Sequence, residues 1–141
     1  MVALNDFVLQ RAQDAGCVPR WRGLRMVASD GSVLMPVSRP CYRVRSAAGA
    51  DQRLFALCLP GTELTLDAHV CSAGESERAQ LVDAVDRVAS GDVLVLDRGY
   101  SAAWLVALLS TRGIRFVMRC DDASGWTADK TFLRSGVDEA R

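Results

Sequence analysis

Apolar and polar residues follow two different periods along this chain, and the change of period divides it. At the start, Leu4, Phe7, Val8, Arg11 and Ala12 share one helical face that stops before Gly16, with Pro19 beyond as a breaker, so the spacing predicts a short opening helix. Leu24 to Ala28 is a mostly apolar run that meets the turn dipeptide Asp30-Gly31. It predicts a strand ending at Asp30, followed by Ser32 to Met35 and then Pro36. Residues 37 to 52, rich in Arg, Ser, Pro, Ala and Gly, read as an exposed loop. Leu54 to Leu59 and Glu63 to Val70 are extended runs bracketing Pro60-Gly61, which makes them a hairpin and completes a three-strand meander.

From residue 75 the period becomes helical. Leu81, Val82, Val85, Val88 and Ala89 repeat at helix spacing behind Glu75 and Glu77, acids favoured in a first turn, and Gly91 ends the segment. Asp92 to Leu96 contains Val-Leu-Val-Leu, apolar on both faces as a central parallel strand requires, and ends at Asp97. Ser101 is placed to cap a second helix through Arg112, with Trp104, Leu105, Leu108 and Leu109 apolar and Gly113 as terminator. Ile114 to Arg119 predicts another strand, and Thr131 to Leu133 the start of a further element. The order of elements implies a mixed α/β five-stranded sheet with flanking helices, an antiparallel meander followed by two right-handed crossovers. Its first strand lies between the second and the fourth.

Composition narrows the class. Of 141 residues half are hydrophobic and 24% charged, enough for one core and against disorder. The longest apolar run, Ala102 to Leu109, has eight residues, where a membrane-spanning helix needs about 20. The first residues lack the basic start and apolar stretch of a secretory signal, which points to the cytoplasm. Five cysteines at spacings of 13 or more, with a single histidine, argue against a disulfide framework and a zinc site. Formal charge is zero overall, but residues 1–60 carry eight arginines against Asp6, Asp14, Asp30 and Asp51, and the remainder has an acidic excess. Seven arginines between Arg20 and Arg53 suit a phosphate-facing strip, or reflect the codon usage of a GC-rich genome.

Asp30 and Asp97 end two strands that this topology makes adjacent and parallel, so both carboxylates emerge at one carboxyl edge. Two such acids suit a hard divalent cation and phosphoryl chemistry; as isolated residues, each also fits an ordinary turn or loop. No Gly-x-Gly-x-x-Gly follows a predicted strand, and His69 sits in the hairpin as a structural residue, which disfavours a dinucleotide enzyme and a Ser/His/Asp hydrolase.

The stretch Met26-Val27-Ala28-Ser29-Asp30-Gly31-Ser32-Val33-Leu34-Met35-Pro36 is joined by a more specific one, Gly91-Asp92-Val93-Leu94-Val95-Leu96-Asp97-Arg98-Gly99-Tyr100, with Leu105, Leu108, Leu109, Gly113, Phe116 and Arg119 after it. Together they resemble bacterial insertion-sequence transposases of the DDE class, in the group named after insertion sequence four. The resemblance covers roughly residues 24 to 120 and implies an RNase-H-like core at 20–120, behind a helical segment at 1–19. It implies that Asp30 and Asp97 are catalytic ligands of Mg²⁺ or Mn²⁺, and that the partner is double-stranded DNA at transposon ends, engaged by dimers on the nucleoid. Arg98 and Arg119 then contact DNA phosphate, or else solvate their loops or pair with Asp121 or Asp122. Tyr100 and Trp104 are placed to stack near DNA, although Trp104 also fits a core position, and Cys120 reads as a buried thiol.

The chain departs from the family in its third acid, a glutamate on a later helix: Glu139, the only glutamate after Glu77, lacks the expected surroundings. Residues 121–141 therefore read as the start of an insertion or a truncated tail, the sheet as incomplete at its C-terminal side, and the isolated chain as inactive. A non-catalytic remnant that binds nucleic acid or inhibits a full transposase, and an α/β domain without metal, are the competing readings.

Overall fold

The computed structural model describes residues 2–34, 51–120 and 127–136. Helix α1 (Val2–Asp14) precedes strands β1 (Arg20–Trp21), β2 (Leu24–Leu34), β3 (Gln52–Leu59) and β4 (Leu64–Ser72). Then follow α2 (Glu77–Ala84), a 3-10 turn at Val85–Arg87, β5 (Asp92–Leu96), a second 3-10 turn at Arg98–Tyr100, α3 (Ala103–Thr111), β6 (Phe116–Met118) and α4 (Thr127–Ser135). The strands form one mixed sheet in the order β4-β3-β2-β5-β6, with β1 paired to β2 beside that path. β2 is antiparallel to β3 and parallel to β5, which places it centrally as expected.

The sheet has six strands rather than five because the chain doubles back between Trp21 and Leu24. Arg22 and Gly23 both adopt positive φ, 50° and 82°, the backbone of a two-residue hairpin turn that matches strand twist. The Arg22 guanidinium lies 4.9 Å from the centre of the Trp21 ring. A second correction concerns Asp30-Gly31, which is not a turn. β2 runs straight through it, Asp30 opposite Ala56 and Gly31 opposite Phe55, and the antiparallel ladder continues to Leu34 opposite Gln52. A long ladder with satisfied backbone groups outweighs the local preference of the dipeptide. The predicted loop at 37–52 falls almost wholly outside the described residues.

Side chains alternate across β2: Arg25, Val27 and Ser29 are buried, while Met26 and Ala28 are half-buried and Asp30 is exposed. On the buried side Val27, Phe55, Leu57, Leu81, Leu94, Leu105 and Leu109 make the centre of the core. α1 joins this core with Ala12 of the predicted face packed against it, but the rest of that face is turned away. Leu4, Phe7 and Val8 are exposed, while Leu9 is buried and Asn5 Nδ2 donates to the Thr65 carbonyl at 3.0 Å. α2 stops at Ala84, short of the predicted length, and α3 starts after Ala102, so Ser101 is buried beneath the helix rather than capping it. Trp104 is exposed.

The start of the β2–β5 pair carries a buried ion pair. Arg25 Nε and Nη2 donate to Asp92 Oδ1 and Oδ2 at 2.7 and 2.6 Å, and the Ala89 N–H donates to Asp92 Oδ2 at 2.8 Å. On the opposite side of the sheet Trp21, Met26, Val93, Val95 and Val117 line a shallow apolar cleft, and Leu54, Val70 and Val117 are exposed. Among the described residues no helix is long and apolar enough to cross a membrane.

Candidate metal and nucleic-acid site

Every residue of β2 that pairs with β5 does so with a partner 67 positions further along, from Arg25 with Asp92 to Ala28 with Val95. Asp30 and Asp97 are separated by the same number, two residues past the last pair of that register. Asp97 keeps an extended backbone, φ −79° and ψ 179°, so strand alternation continues to it. Asp30, inside β2, and Asp97, just past the end of β5, both lie on the side of Met26, Ala28 and Val95, and both are exposed.

The turn after Asp97 is held from three directions. Asp97 Oδ1 accepts from the Gly99 N–H at 2.8 Å, capping the 3-10 turn with its own carboxylate. Arg78 of α2 donates from Nε to the Gly99 carbonyl at 2.9 Å and from Nη2 to the Ser101 carbonyl at 3.4 Å. The third hold comes from below, where Ser29 Oγ donates to the Tyr100 hydroxyl at 2.8 Å in the buried interior. Sequence reasoning missed Ser29 and Arg78. Ser29 had a faint signal, a polar residue on the apolar side of a strand; Arg78 had none.

Tyr100 differs from expectation: it is 1% exposed and forms part of the core, so it is not a DNA-stacking residue. Burial raises its hydroxyl pKa above the ordinary tyrosine value; the Ser29 hydrogen bond opposes this, while the charges of Asp97 and Asp30 add to it. Arg98 and Arg119 are exposed, the Arg119 N–H donating to the Leu96 carbonyl at 3.0 Å just before Asp97. Asp121 and Asp122 lie outside the described residues, as does Glu139.

Glu77 lies against Gly31: a Cβ built on Gly31 would meet its side chain at 2.8–2.9 Å. It forms an ion pair with Arg53, on the helix side of the sheet, away from the side where Asp30 emerges. Among the described residues no group of three or more His, Cys, Asp or Glu is placed to hold a metal. His69 is structural as expected, its ring 5.1 Å from that of Phe55 and its Nε2 paired with Gln80 Oε1. Cys120, expected to be buried, is exposed, because β6 ends at Met118 and the chain leaves the sheet.

Cys58 gives a probe of the surroundings of Asp30. Its thiol pKa is raised first by burial and then by the Asp30 charge. At pH 8 iodoacetamide is expected to modify Cys58 more slowly than the exposed Cys17. Asp30→Asn should speed Cys58 by about two- to threefold, since removing a nearby negative charge favours thiolate. An equal acceleration from Asp67→Asn would show that Asp30 has no special proximity.

No family model matches the chain, and no curated protein matches it in sequence. Among solved structures it superposes on the piggyBac transposase synaptic complex with hairpin DNA, with a TM-score of 0.55 and 12% identity over 94% of this chain and 30% of that one. It also superposes on the Mos1 mariner paired end complex with Mn, with a TM-score of 0.50 and 12% identity over 95% of this chain and 47% of that one. The chain thus spans less than half the length of either. At such identity the likeness shows the fold, a mixed sheet with flanking helices as in RNase-H-like transposase catalytic domains.

Proposed function

We propose that this chain is the catalytic-core part of a DDE transposase of the insertion-sequence-four group, acting on double-stranded DNA at transposon ends as a dimer, with Asp30 and Asp97 as its divalent-metal ligands. What supports the reading is register: the two acids singled out by their sequence surroundings share the offset of 67 positions that sets the β2–β5 ladder, two residues beyond its last pair. Mg²⁺ keeps several waters and is commonly bound through one or two carboxylates plus substrate phosphates, so this donor set fits it. Such an ion supplies Lewis-acid stabilisation of charge developing at phosphorus. The chain's own part is to present Asp30 and Asp97 rigidly at an open edge, and to offer Arg98 and Arg119 beside them for the DNA backbone. The two solved neighbours, one holding hairpin DNA and the other Mn, are in keeping with this assignment.

Two acids without a third among the described residues favour a second reading for the isolated chain: binding of metal and DNA without strand cleavage. In that case it acts as a nucleic-acid-binding module, or blocks a full-length transposase by mixed assembly.

The test is a thermal melt of the full chain with increasing Mn²⁺. At 100 times the dissociation constant the native protein should gain about 2.7 kcal/mol, read as a rise of several degrees. Asp30→Asn and Asp97→Asn should each abolish the rise, and without metal should be no less stable than the native chain, because a like-charge pair has been relieved. A native chain indifferent to millimolar Mn²⁺ would overturn the metal assignment. Metal-dependent nicking of duplex DNA by the isolated chain would exclude the binding-only reading.

A further inference from the structure

The parallel ladder between β2 and β5 ends at Ala28 and Val95, and β5 itself ends at Leu96. Beyond that point Asp30 belongs to a strand fixed by β3, while Asp97 belongs to a turn. No pairing in the β2–β5 ladder holds the two acids level. What spans the gap is the Tyr100–Ser29 hydrogen bond: Ser29 immediately precedes Asp30, and Tyr100 is three residues past Asp97. Both partners are nine-tenths or more buried, so water does not compete for the bond. A tyrosine in the core also brings a ring that cannot shift without disturbing its neighbours, which makes it a stiffer strut than a surface contact.

We propose that Tyr100, acting through Ser29, is a positioning residue that sets Asp97 against Asp30 where the strand ladder has run out. The proposal rests on the two-carboxylate reading above. It assigns Tyr100 no contact with metal or DNA; its hydroxyl works on the turn that carries Asp97. Arg78 restrains the same turn from α2 through the Gly99 and Ser101 carbonyls, whereas the Tyr100–Ser29 bond joins the turn to β2 directly.

The experiment compares the full chain with Tyr100→Phe, Ser29→Ala and the double variant, by two readouts. The first is Mn²⁺ affinity from calorimetric titration. Each single variant should weaken binding about tenfold, and the double variant also about tenfold rather than a hundredfold, because both changes remove one bond. The second is hydrogen exchange at the Gly99 amide, which donates to Asp97. It should quicken about tenfold in each variant while the Leu57 amide in the core is unchanged. Should Tyr100→Phe fold poorly, Ser29→Ala removes the same bond with a smaller change. Unchanged Gly99 exchange, or Mn²⁺ affinity equal to that of the native chain, overturns the proposal. If the native chain binds no Mn²⁺, the two-carboxylate reading fails separately, and Gly99 exchange alone decides whether Tyr100 positions the turn.

Discussion

Asp92→Asn is expected to lower the stability of the fold by about 3–5 kcal/mol, because it leaves the Arg25 guanidinium buried without its counter-charge. Arg25 and Asp92 are 7% and 3% exposed, and the carboxylate accepts three hydrogen bonds, two from the Arg25 fork and one from Ala89. Asparagine keeps one acceptor oxygen and puts an N–H₂ donor where the second oxygen faced a cation. The pair itself is a different quantity. Desolvating two ions costs much of what their attraction returns, so Arg25→Met combined with Asp92→Leu should be near neutral or as much as about 1–4 kcal/mol more stable. Urea denaturation of the single and double variants checks both figures. A loss under about 1 kcal/mol in Asp92→Asn would mean that water reaches the pair, contrary to its burial.

Phe55→Ala should cost a similar amount, about 3–5 kcal/mol, for a different reason. Phe55 is fully buried in β3, across from Gly31 on one side and His69 on the other. Truncation loses the transfer energy of the ring and leaves a cavity that a sheet hydrogen-bonded on both sides of β3 cannot close. It also removes the support beneath His69, whose ring is linked to Gln80; Gln80 Nε2 donates to Glu75 Oε2 at 2.6 Å, and Glu75 Oε1 accepts from the Ser72 N–H at 3.1 Å. Phe55→Leu, which keeps most of the volume, should lose less than about 1.5 kcal/mol. Equal denaturant slopes for both variants would show that the loss lies in packing rather than in a changed unfolded state. A loss for Phe55→Ala no greater than for Phe55→Leu would contradict the cavity argument.

The topology was legible, and with it the parallel register of β2 and β5, because both follow from order and period: apolar runs bounded by turn residues, and strands joined by helices, allow few arrangements. Where the reading failed, tertiary contacts overrode a local signal. Asp30-Gly31 has the composition of a turn, but β3 offers a partner at every position through Leu34. The β1 hairpin turn is built on Arg22, a residue that seldom takes positive φ, so no dipeptide announced it. In α1 the more apolar face is solvent-exposed and the helix docks through Leu9 and Asn5, a choice made by the surface of β4 rather than by the helix. The resemblance around Asp97-Arg98-Gly99-Tyr100 places Tyr100 near DNA, whereas the structure buries it. A 3-10 turn rotates its ring inward, a rotation that sequence does not encode at single-residue resolution.

The separation of 67 positions between β2 and β5 also orders events in time. The β3–β4 hairpin closes over residues 60–63, whereas joining β2 to β5 closes a loop that costs about 2–3 kcal/mol more in chain entropy. The meander should therefore form early and the parallel pair late, the slow step typical of non-local strands. In pulse-labelled hydrogen exchange during refolding, amides of β3 and β4 should gain protection before those of β5; simultaneous protection would contradict that order. In such an order Asp97 reaches the side of β2 only after the meander that carries Asp30 has formed, so the two segments that bear these acids mature at different times.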